Sequence, residues 1–313
     1  MEIKALLKLL TQIIYILCGL VSISTGIRGL KNEKAKIGTF LFWTILGIIF
    51  IFGEAIPYKV TGGLLVILAI ITVTKQLHIG KFENISSQFK IAQSEKLKNK
   101  IFIPAVLIGI AAFLILQFKI GKTAIPPALG IGGGSLVALL AAAIIIKPKF
   151  KETNEDTSRL LMQIGATAIL PQLLAALGAV FTKAGVGKVI AASISSVVPT
   201  GNIFIGIIIY AIGMAVFTMI MGNAFAAFSV ITAGIGIPFI IKNGGNPAVI
   251  GALGMTAGYC GTLMTPMAAN FNIVPASILE IKDKYGIIKV QAPMALLLLV
   301  THVILMLLLF GVK

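Results

Sequence analysis

Long apolar runs, separated by short polar connections, cover most of the chain. The runs do not alternate between apolar and polar positions, as the strands of an outer-membrane barrel do. Many of them approach the roughly 20 residues that a helix needs to cross a bilayer. Because lipid offers the backbone no hydrogen-bonding partner, we expect the runs to be helices. They cover residues 6–27, 37–52, 60–74, 101–118, 124–146, 160–181, 185–198, 203–221, 224–241, 247–264, 268–281 and 290–310.

The runs predict an all-α polytopic membrane protein with about 8–10 transmembrane helices. The run at 185–198 is short for a full crossing, so we interpret it as a dip into the membrane. Residues 203–241 are predicted to form two spans or one re-entrant hairpin, and residues 247–281 one broken helix. We therefore divide the chain into an N-terminal membrane region, 1–150, and a C-terminal region, 151–313, that contains the hairpin and the broken helix.

The composition indicates that lipid is the solvent of this chain. Of its residues 58% are hydrophobic and only 12% are charged, whereas soluble domains carry about 25% charged residues. A net charge of +16 would suit a nucleic-acid-binding protein, but most of the 26 basic residues lie in connections between apolar runs. The positive-inside rule then predicts a multi-pass protein of the cytoplasmic membrane. Its N-terminus should be outside, and the first, third, fifth and last connections should be in the cytoplasm.

No pattern typical of an enzyme is present in the sequence. It has neither an H-E-x-x-H zinc motif nor a Gly-rich phosphate loop, and we expect no catalytic residue, no metal site and no cofactor beyond a coupling ion. His78 lies in a connection, and His302 is interpreted as a packed polar residue of the last run. Cys18 and Cys260 are interpreted as small core residues. Only Glu54 of the ten acidic residues lies close to an apolar run, so no intramembrane carboxylate is a strong candidate for a proton relay.

Small and polar residues, rather than polar loops, interrupt the apolar runs of the C-terminal third. Gly222 and Asn223 join two apolar runs directly. Further on, Pro266 lacks an N–H group and disfavours a continuous helix through the residues before it. Gly261 loosens the preceding turn. Backbone groups freed at membrane depth are tolerated only where they are buried in protein or line a cavity.

These interruptions predict a site for a substrate or a coupling ion. The N-terminus of a half-helix carries partial positive charge that attracts a carboxylate, while exposed carbonyl groups coordinate a cation. The alternative is that the small and polar residues only help helices to pack. The candidate binding side chains are Asn223, Thr262, Thr265, Asn270 and Asn272. The residues expected to shape the breaks are Gly222, Gly261 and Pro266.

Three further features have structural interpretations. Residues 125–135, rich in Pro and Gly, predict a broken helix entry or a close-packing patch, with a pathway lining as the alternative. Pro171 and Gln172 predict a kink. Residues 78–100, the largest polar segment, predict an amphipathic surface stretch, with a partner-docking site as the alternative. Its possible anchors are Phe82, Ile85, Phe89 and Ile91.

The second interruption resembles a known carrier motif. Residues 265–270, Thr-Pro-Met-Ala-Ala-Asn, resemble the Thr-Pro-x-x-x-Asn break of the ion-transporter superfamily, which includes dicarboxylate, citrate and gluconate carriers. Residues 222–224, Gly-Asn-Ala, resemble the Ser-Asn-Thr hairpin tip of the same carriers. Only Asn223 matches at the tip, so the resemblance implies no side-chain ligation by Gly222 or Ala224.

Residues 222–291, above all 261–275, more closely resemble a bacterial membrane family long classed as a domain of unknown function. That resemblance implies the larger membrane subunit of a two-subunit transporter for 5-oxoproline (pyroglutamate), a small carboxylate, with a second, smaller membrane subunit as partner. Carriers of the superfamily type use two inverted copies of hairpin plus broken helix, and this chain has one good copy, at 203–281. We therefore expect the second half-site to come from that partner or from a second copy of this chain in a homodimer. The coupling ion would be Na⁺ or H⁺. A non-transporting scaffold or assembly subunit is the alternative.

Overall fold

The computed structural model describes residues 3–82, 87–120, 123–195, 202–268, 270–279, 281–283 and 285–311. Within these ranges the chain is almost entirely helical. The strands found there, Lys119–Ile120 (β1) and Thr123–Ala124 (β2), pair antiparallel as a two-stranded sheet. The helices are α1 Ile3–Gly29, α2 Lys36–Phe52, α3 Tyr58–Val73, α4 Ser87–Leu97, α5 Ile103–Gln117, α6 Pro127–Ile146, α7 Phe150–Ile164, α8 Leu170–Lys183, α9 Val186–Ser195, α10 Ile203–Met221, α11 Ala224–Ile231, α12 Pro247–Leu263, α13 Ile273–Ile278 and α14 Gly286–Leu308.

Seven helical stretches within the described ranges are long and apolar enough to cross a membrane, and three of them join consecutive helices through 3₁₀ or π-helical turns. Two shorter apolar helices, α2 and α3, add to them. The prediction of an all-α polytopic membrane protein is therefore confirmed. The seven are Ile3–Gly29, Ile91–Gln117, Pro127–Ile146, Phe150–Phe181, Ile203–Met221, Ala224–Asn243 and Gly286–Leu308.

The chain forms two compact units, Met1–Gly165 and Ala166–Lys313. This division lies after α7, whereas the sequence pattern placed it at residue 150. Helix α7 belongs to the first unit because it packs against α1, where the Ser24 hydroxyl donates a hydrogen bond of 3.0 Å to the Asn154 side-chain oxygen.

Glycines bring the helices of the first unit into close contact. In the α1–α2 pair, a Cβ atom added at Gly19 would lie 2.7 Å from the carbonyl oxygen of Gly47. In the α5–α6 pair, a Cβ at Gly134 would lie 2.7 Å from the carbonyl oxygen of Ile108. The Gly-rich stretch at 125–135 is thus a close-packing patch, and α6 begins at Pro127, whose missing N–H costs nothing at the first helical position.

The segment after α3 is fixed to the turn between α1 and α2. The buried Asn32 side chain donates to the carbonyl oxygen of His78 at 2.9 Å, and the His78 N–H donates to the Thr39 hydroxyl at 3.1 Å. The Arg28 guanidinium lies 4.7 Å from the centre of the Phe82 ring. The predicted surface stretch at 78–100 therefore begins as an ordered connection, and it contains α4.

The proposed anchors of that stretch differ in their placement. Phe82 contacts Arg28 rather than projecting freely, while Ile91 is 60% exposed. Ile85 lies outside the described residues, and the Phe89 side chain does as well.

Helix α10 forms the centre of the second unit, where it packs against α11, α12 and α14. Its Tyr210 is fully buried, and the hydroxyl groups of Tyr210 and Thr232 are hydrogen-bonded at 2.8 Å. Thr232 begins a π-helical segment, Thr232–Ile240, that extends α11 and contains Pro238. Because Pro238 has no N–H group, the regular i→i−4 hydrogen bond is lost there, and the wider π-helix is a known way to accommodate such a position.

The structure corrects two sequence interpretations and gives the helical part of the short run at 185–198. Cys18 is exposed on α1 rather than buried, because an apolar residue of a membrane helix can face lipid as well as the core; Cys260 is buried as predicted. The apolar run at 268–281 is not one helix, since only Ile273–Ile278 is helical. The run at 185–198 forms the ten-residue α9, with residues 196–198 outside the described ranges.

The predicted kink at Pro171 and Gln172 coincides with a helix interruption. A 3₁₀ turn at Gly165–Ile169 separates α7 from α8, and Pro171 is the second residue of α8. Gly165 has a positive φ of 55°, a conformation that favours glycine, and it ends α7. The break therefore begins at Gly165, six residues before the proline.

Candidate functional site

The first part of the candidate site is the tight connection between α10 and α11. Gly222 ends α10 with φ of 67°, the left-handed conformation that glycine adopts without steric cost. Asn223 follows as the N-cap of α11, and its side-chain oxygen accepts hydrogen bonds from the N–H groups of Phe225 at 2.8 Å and Ala226 at 3.3 Å. The Gly-Asn pair therefore ends one helix and starts the next within two residues, which explains why no polar loop is needed.

The second part is the interruption after α12. Helix α12 ends at Leu263, and the next helix begins at Ile273, so the chain between them is non-helical where it is described. Pro266 occupies this segment and is exposed. The interruption matches the predicted break in the broken helix at 247–281.

Two buried polar side chains stabilise the interruption. The Thr265 hydroxyl donates to the carbonyl oxygen of Met219 at 2.9 Å and accepts from the N–H of Met267 at 3.2 Å. The Asn272 amide, fully buried, donates to the carbonyl oxygens of Thr262 at 2.8 Å and Thr265 at 2.7 Å. These bonds satisfy carbonyl groups that the end of α12 would otherwise leave buried without a partner. The Thr265–Met219 bond also ties the interruption to α10.

A cavity of about 150 Å³ lies where the hairpin tip meets the interruption. A single water needs only about 10–15 Å³ in the same measure, so the cavity has room for a small organic molecule. The lining residues are Leu170, Leu174, Gly222, Asn223, Ala224, Phe225, Tyr259, Thr262, Met267, Asn270 and Phe271. Side-chain amides, a hydroxyl group, aromatic rings and aliphatic groups therefore form its wall.

Three aromatic rings form a continuous contact along this wall. Phe225 meets Tyr259 edge to face, with ring centres 6.1 Å apart and an interplanar angle of 89°. Tyr259 in turn meets Phe271 at 6.3 Å and 60°. The rings come from α11, α12 and the interruption, so Tyr259 connects the hairpin to the break.

The structure separates the predicted binding residues into two groups. Asn223, Thr262 and Asn270 line the cavity. Thr265 and Asn272 do not line it; they lie buried behind its wall, where they hold the interruption together. Thr262 lines the cavity, but its hydroxyl already donates a hydrogen bond of 2.6 Å to the Tyr259 carbonyl oxygen.

The predicted shaping residues have different surroundings. A Cβ atom added at Gly222 would lie 2.5 Å from the Met267 carbonyl oxygen, so this glycine lets the hairpin tip approach the interruption. A Cβ at Gly261 would collide with the Ala215 carbonyl group, so Gly261 lets α12 approach α10. Gly222 lines the cavity, whereas Gly261 is buried at the contact between two helices.

The electrostatics of the site come from helix ends and neutral dipoles. The N-terminus of α11 carries partial positive charge and favours an anion. The N–H groups of Phe225 and Ala226, at this N-terminus, already donate hydrogen bonds to the Asn223 side-chain oxygen. A substrate carboxylate that used these donors would have to replace that oxygen. Carbonyl, amide and hydroxyl oxygens are the groups here that would suit Na⁺, which prefers hard oxygen ligands. Within the described ranges, no group of three or more His, Cys, Asp and Glu side chains could hold a metal ion.

Sequence reasoning did not single out the aromatic and aliphatic part of the wall. Phe271 directly follows Asn270, Tyr259 lies three residues before Thr262, and Phe225 follows Asn223 by two residues, so their proximity to candidate residues was a usable signal. Leu170 and Leu174 come from α8, far away in sequence, and no local pattern distinguishes them from other apolar helix residues.

A comparison with known families covers nearly the whole chain. The family model described as "Protein of unknown function (DUF979)" matches residues 12–310. The chain belongs to this family. The match includes most of both compact units, so membership in DUF979 extends beyond the hairpin and the interruption. The chain matches no curated protein and no solved structure at a significant level.

Proposed function

We propose that this chain is a subunit of an ion-coupled secondary transporter that moves a small carboxylate, with 5-oxoproline as the first candidate, across the bacterial cytoplasmic membrane. The observation that carries the proposal is the cavity shared by the Asn223 tip and the interruption after α12. Discontinuous helices around a small-molecule cavity are the common construction of substrate sites in secondary transporters.

The wall of the cavity supplies suitable donors for a carboxylate. Asn223 and Asn270 carry amide groups, and the N-terminus of α11 adds a favourable dipole. The Asn223 side-chain oxygen accepts from the two N–H groups at the start of α11. A carboxylate arriving there would take over the two N–H groups and release the Asn223 amide to bond the substrate.

The proposal includes a partner, because the chain holds one copy of hairpin plus broken helix. Transporters with this construction commonly place the substrate between two inverted repeats. The first 150 residues contain no Thr-Pro-x-x-x-Asn motif. A second, smaller membrane subunit or a second copy of this chain would then complete the site.

The test is uptake of radiolabelled 5-oxoproline into proteoliposomes, with this chain alone and with a candidate for the smaller membrane subunit that the resemblance implies. We expect uptake only with both chains, and we expect it to depend on a Na⁺ or a proton gradient imposed separately. Uptake by this chain alone would favour the homodimer over the heteromer. Absence of 5-oxoproline uptake under all conditions would overturn the substrate assignment.

A substitution series connects the activity to the cavity. Losing a hydrogen bond to a charged group costs about 1.5–3 kcal/mol. We therefore expect Asn270→Ala to raise the apparent KM by roughly 10- to 150-fold, at about 1.4 kcal/mol per tenfold. Asn243→Ala is the matched control, because Asn243 is exposed and bonds only the Phe239 carbonyl one turn away. Normal transport by Asn270→Ala and Asn223→Ala at normal abundance would favour the scaffold alternative.

A further inference from the structure

Three of the residues that line the cavity are aromatic: Phe225, Tyr259 and Phe271. Phe225, Tyr259 and Phe271 are contributed by three separate elements and touch one another in series. Phe225 is 63% exposed and Phe271 is 39% exposed, whereas Tyr259, between them, is partly buried. Tyr259 is therefore the fixed member of the set, with one ring on each side.

Each outer ring is close in sequence to one of the two Asn residues that line the cavity with it. Phe225 is on the first turn of α11, whose N-cap is Asn223, and Phe271 directly follows Asn270. A molecule in the cavity would thus meet both amide groups and aromatic rings. Aromatic side chains offer a large apolar contact area to the uncharged part of such a molecule.

We infer that Tyr259, with Phe225 and Phe271, determines the specificity of the cavity by packing against the uncharged part of the ligand, so that acids with one charge are preferred over acids with a second charge. This inference rests on the proposed function. The physical reason is desolvation. One carboxylate is accommodated by the α11 N-terminus and the amides, but a second charged group would be placed against aromatic rings, which return little of its hydration energy.

Tyr259 positions its two neighbouring rings as well as forming part of the cavity wall. Because Tyr259 touches a ring on the hairpin and a ring on the interruption, its removal widens the cavity and releases both neighbours. Replacement by Phe keeps the ring and both edge-to-face contacts. The pair Tyr259→Ala and Tyr259→Phe therefore separates the effect of the ring from the effect of the hydroxyl group.

The experiment is competition against radiolabelled 5-oxoproline uptake by the complete transporter, with three unlabelled acids. Cyclopentanecarboxylate keeps the ring and one carboxylate, and glutamate and glutarate are open chains with additional charge. For the unaltered protein we expect cyclopentanecarboxylate to compete at least about tenfold better than either open-chain acid. Tyr259→Ala should reduce this preference to about twofold or less, and Tyr259→Phe should retain it.

The control is Phe217→Ala. Phe217 also belongs to an aromatic pair, with Phe181 at 6.2 Å, but it does not line the cavity. We expect the transporter that carries Phe217→Ala to keep the ligand preference of the unaltered protein. Retention of the full preference by Tyr259→Ala at normal abundance would overturn the inference, and so would equal competition by all three acids in the unaltered protein.

A second measurement keeps this inference separate from the proposed function. Thermal stabilisation of the purified protein by each acid reports binding without transport, because a ligand of the folded state raises the unfolding temperature. Stabilisation by cyclopentanecarboxylate that exceeds that by glutarate, and that Tyr259→Ala abolishes, supports the inference even where 5-oxoproline uptake fails. Absence of stabilisation by any of the acids, together with absence of competition, overturns it.

Discussion

At the scale of single residues, Asn223 has two roles that one substitution can separate. Its oxygen caps α11, and the same N–H groups are the proposed carboxylate donors. Asp caps helices as well as Asn does, and Ser nearly so. Asn223→Asp therefore preserves the hairpin but places a fixed negative charge where the substrate carboxylate would bind.

We expect Asn223→Asp to raise the KM for 5-oxoproline at least about tenfold more than Asn223→Ser does, at similar abundance of both variants. Both substitutions remove the amide donor, so the difference between them measures charge repulsion. The check is uptake kinetics normalised to protein in the membrane. Equal KM values for the two variants would show that no carboxylate approaches the N-terminus of α11.

Asn272 provides a residue-scale prediction about stability. Asn272→Ala leaves the buried carbonyl groups of Thr262 and Thr265 without this donor, at about 1–3 kcal/mol for each unsatisfied group. We expect a lower unfolding temperature in detergent and lower abundance, with little change in KM for the protein that remains. Thr301→Ala serves as control, since the Thr301 hydroxyl is exposed and bonds its own helix at Leu297. A large KM increase at unchanged stability would instead place Asn272 in the binding site.

At the scale of secondary-structure elements, the approach of the hairpin tip to the interruption depends on one glycine. In Gly222→Ala the new Cβ atom would lie 2.5 Å from a backbone oxygen of Met267, and the φ of 67° would cost about 1–2 kcal/mol. We expect transport to fall at least about tenfold, because the tip must move away from the opposite wall. Gly62→Ala in α3 is the control, because a Cβ there meets nothing within 4 Å.

The helices also show which features of the secondary structure the sequence pattern predicts and which it does not. The apolar run at 203–221 coincides with α10, and the Gly-Asn junction was predicted from composition alone. The π-helical segment after α11 was not predicted, although Pro238 marks it in the sequence. A proline in an apolar run signals a lost hydrogen bond, but whether the helix kinks, ends or widens depends on what packs against it. Here the buried Tyr210 bonds Thr232 at the start of the widened segment.

At the scale of the whole molecule, the distribution of lysines predicts the orientation in the membrane. Lys34 follows α1, and Lys98 precedes α5, in two of the connections assigned to the cytoplasm. Lys119 lies between α5 and α6, in a connection assigned to the outside. These positions are all exposed, so each can carry a reporter cysteine.

We expect an impermeant thiol reagent, applied to intact cells, to label Lys119→Cys and to spare Lys34→Cys and Lys98→Cys. The background must lack Cys18 and Cys260, because Cys18 is exposed. After the membrane is permeabilised, all three variants should be labelled, which controls for expression. Labelling of Lys98→Cys in intact cells would reverse the assigned orientation.

The sequence by itself determined the class of fold and the positions of the breaks. Run lengths near 20 apolar residues require helices in lipid, and Gly222 and Pro266 mark where the helices of the C-terminal third can be interrupted. Only the tertiary structure decided that Asn223, Thr262 and Asn270 line a cavity while Thr265 and Asn272 support its wall. It also decided that Cys18 is exposed and that Leu170 and Leu174 reach the site. The reason is that lipid and protein core are both apolar, so hydropathy cannot tell which they face, and the direction of side chains in a non-helical segment follows no period.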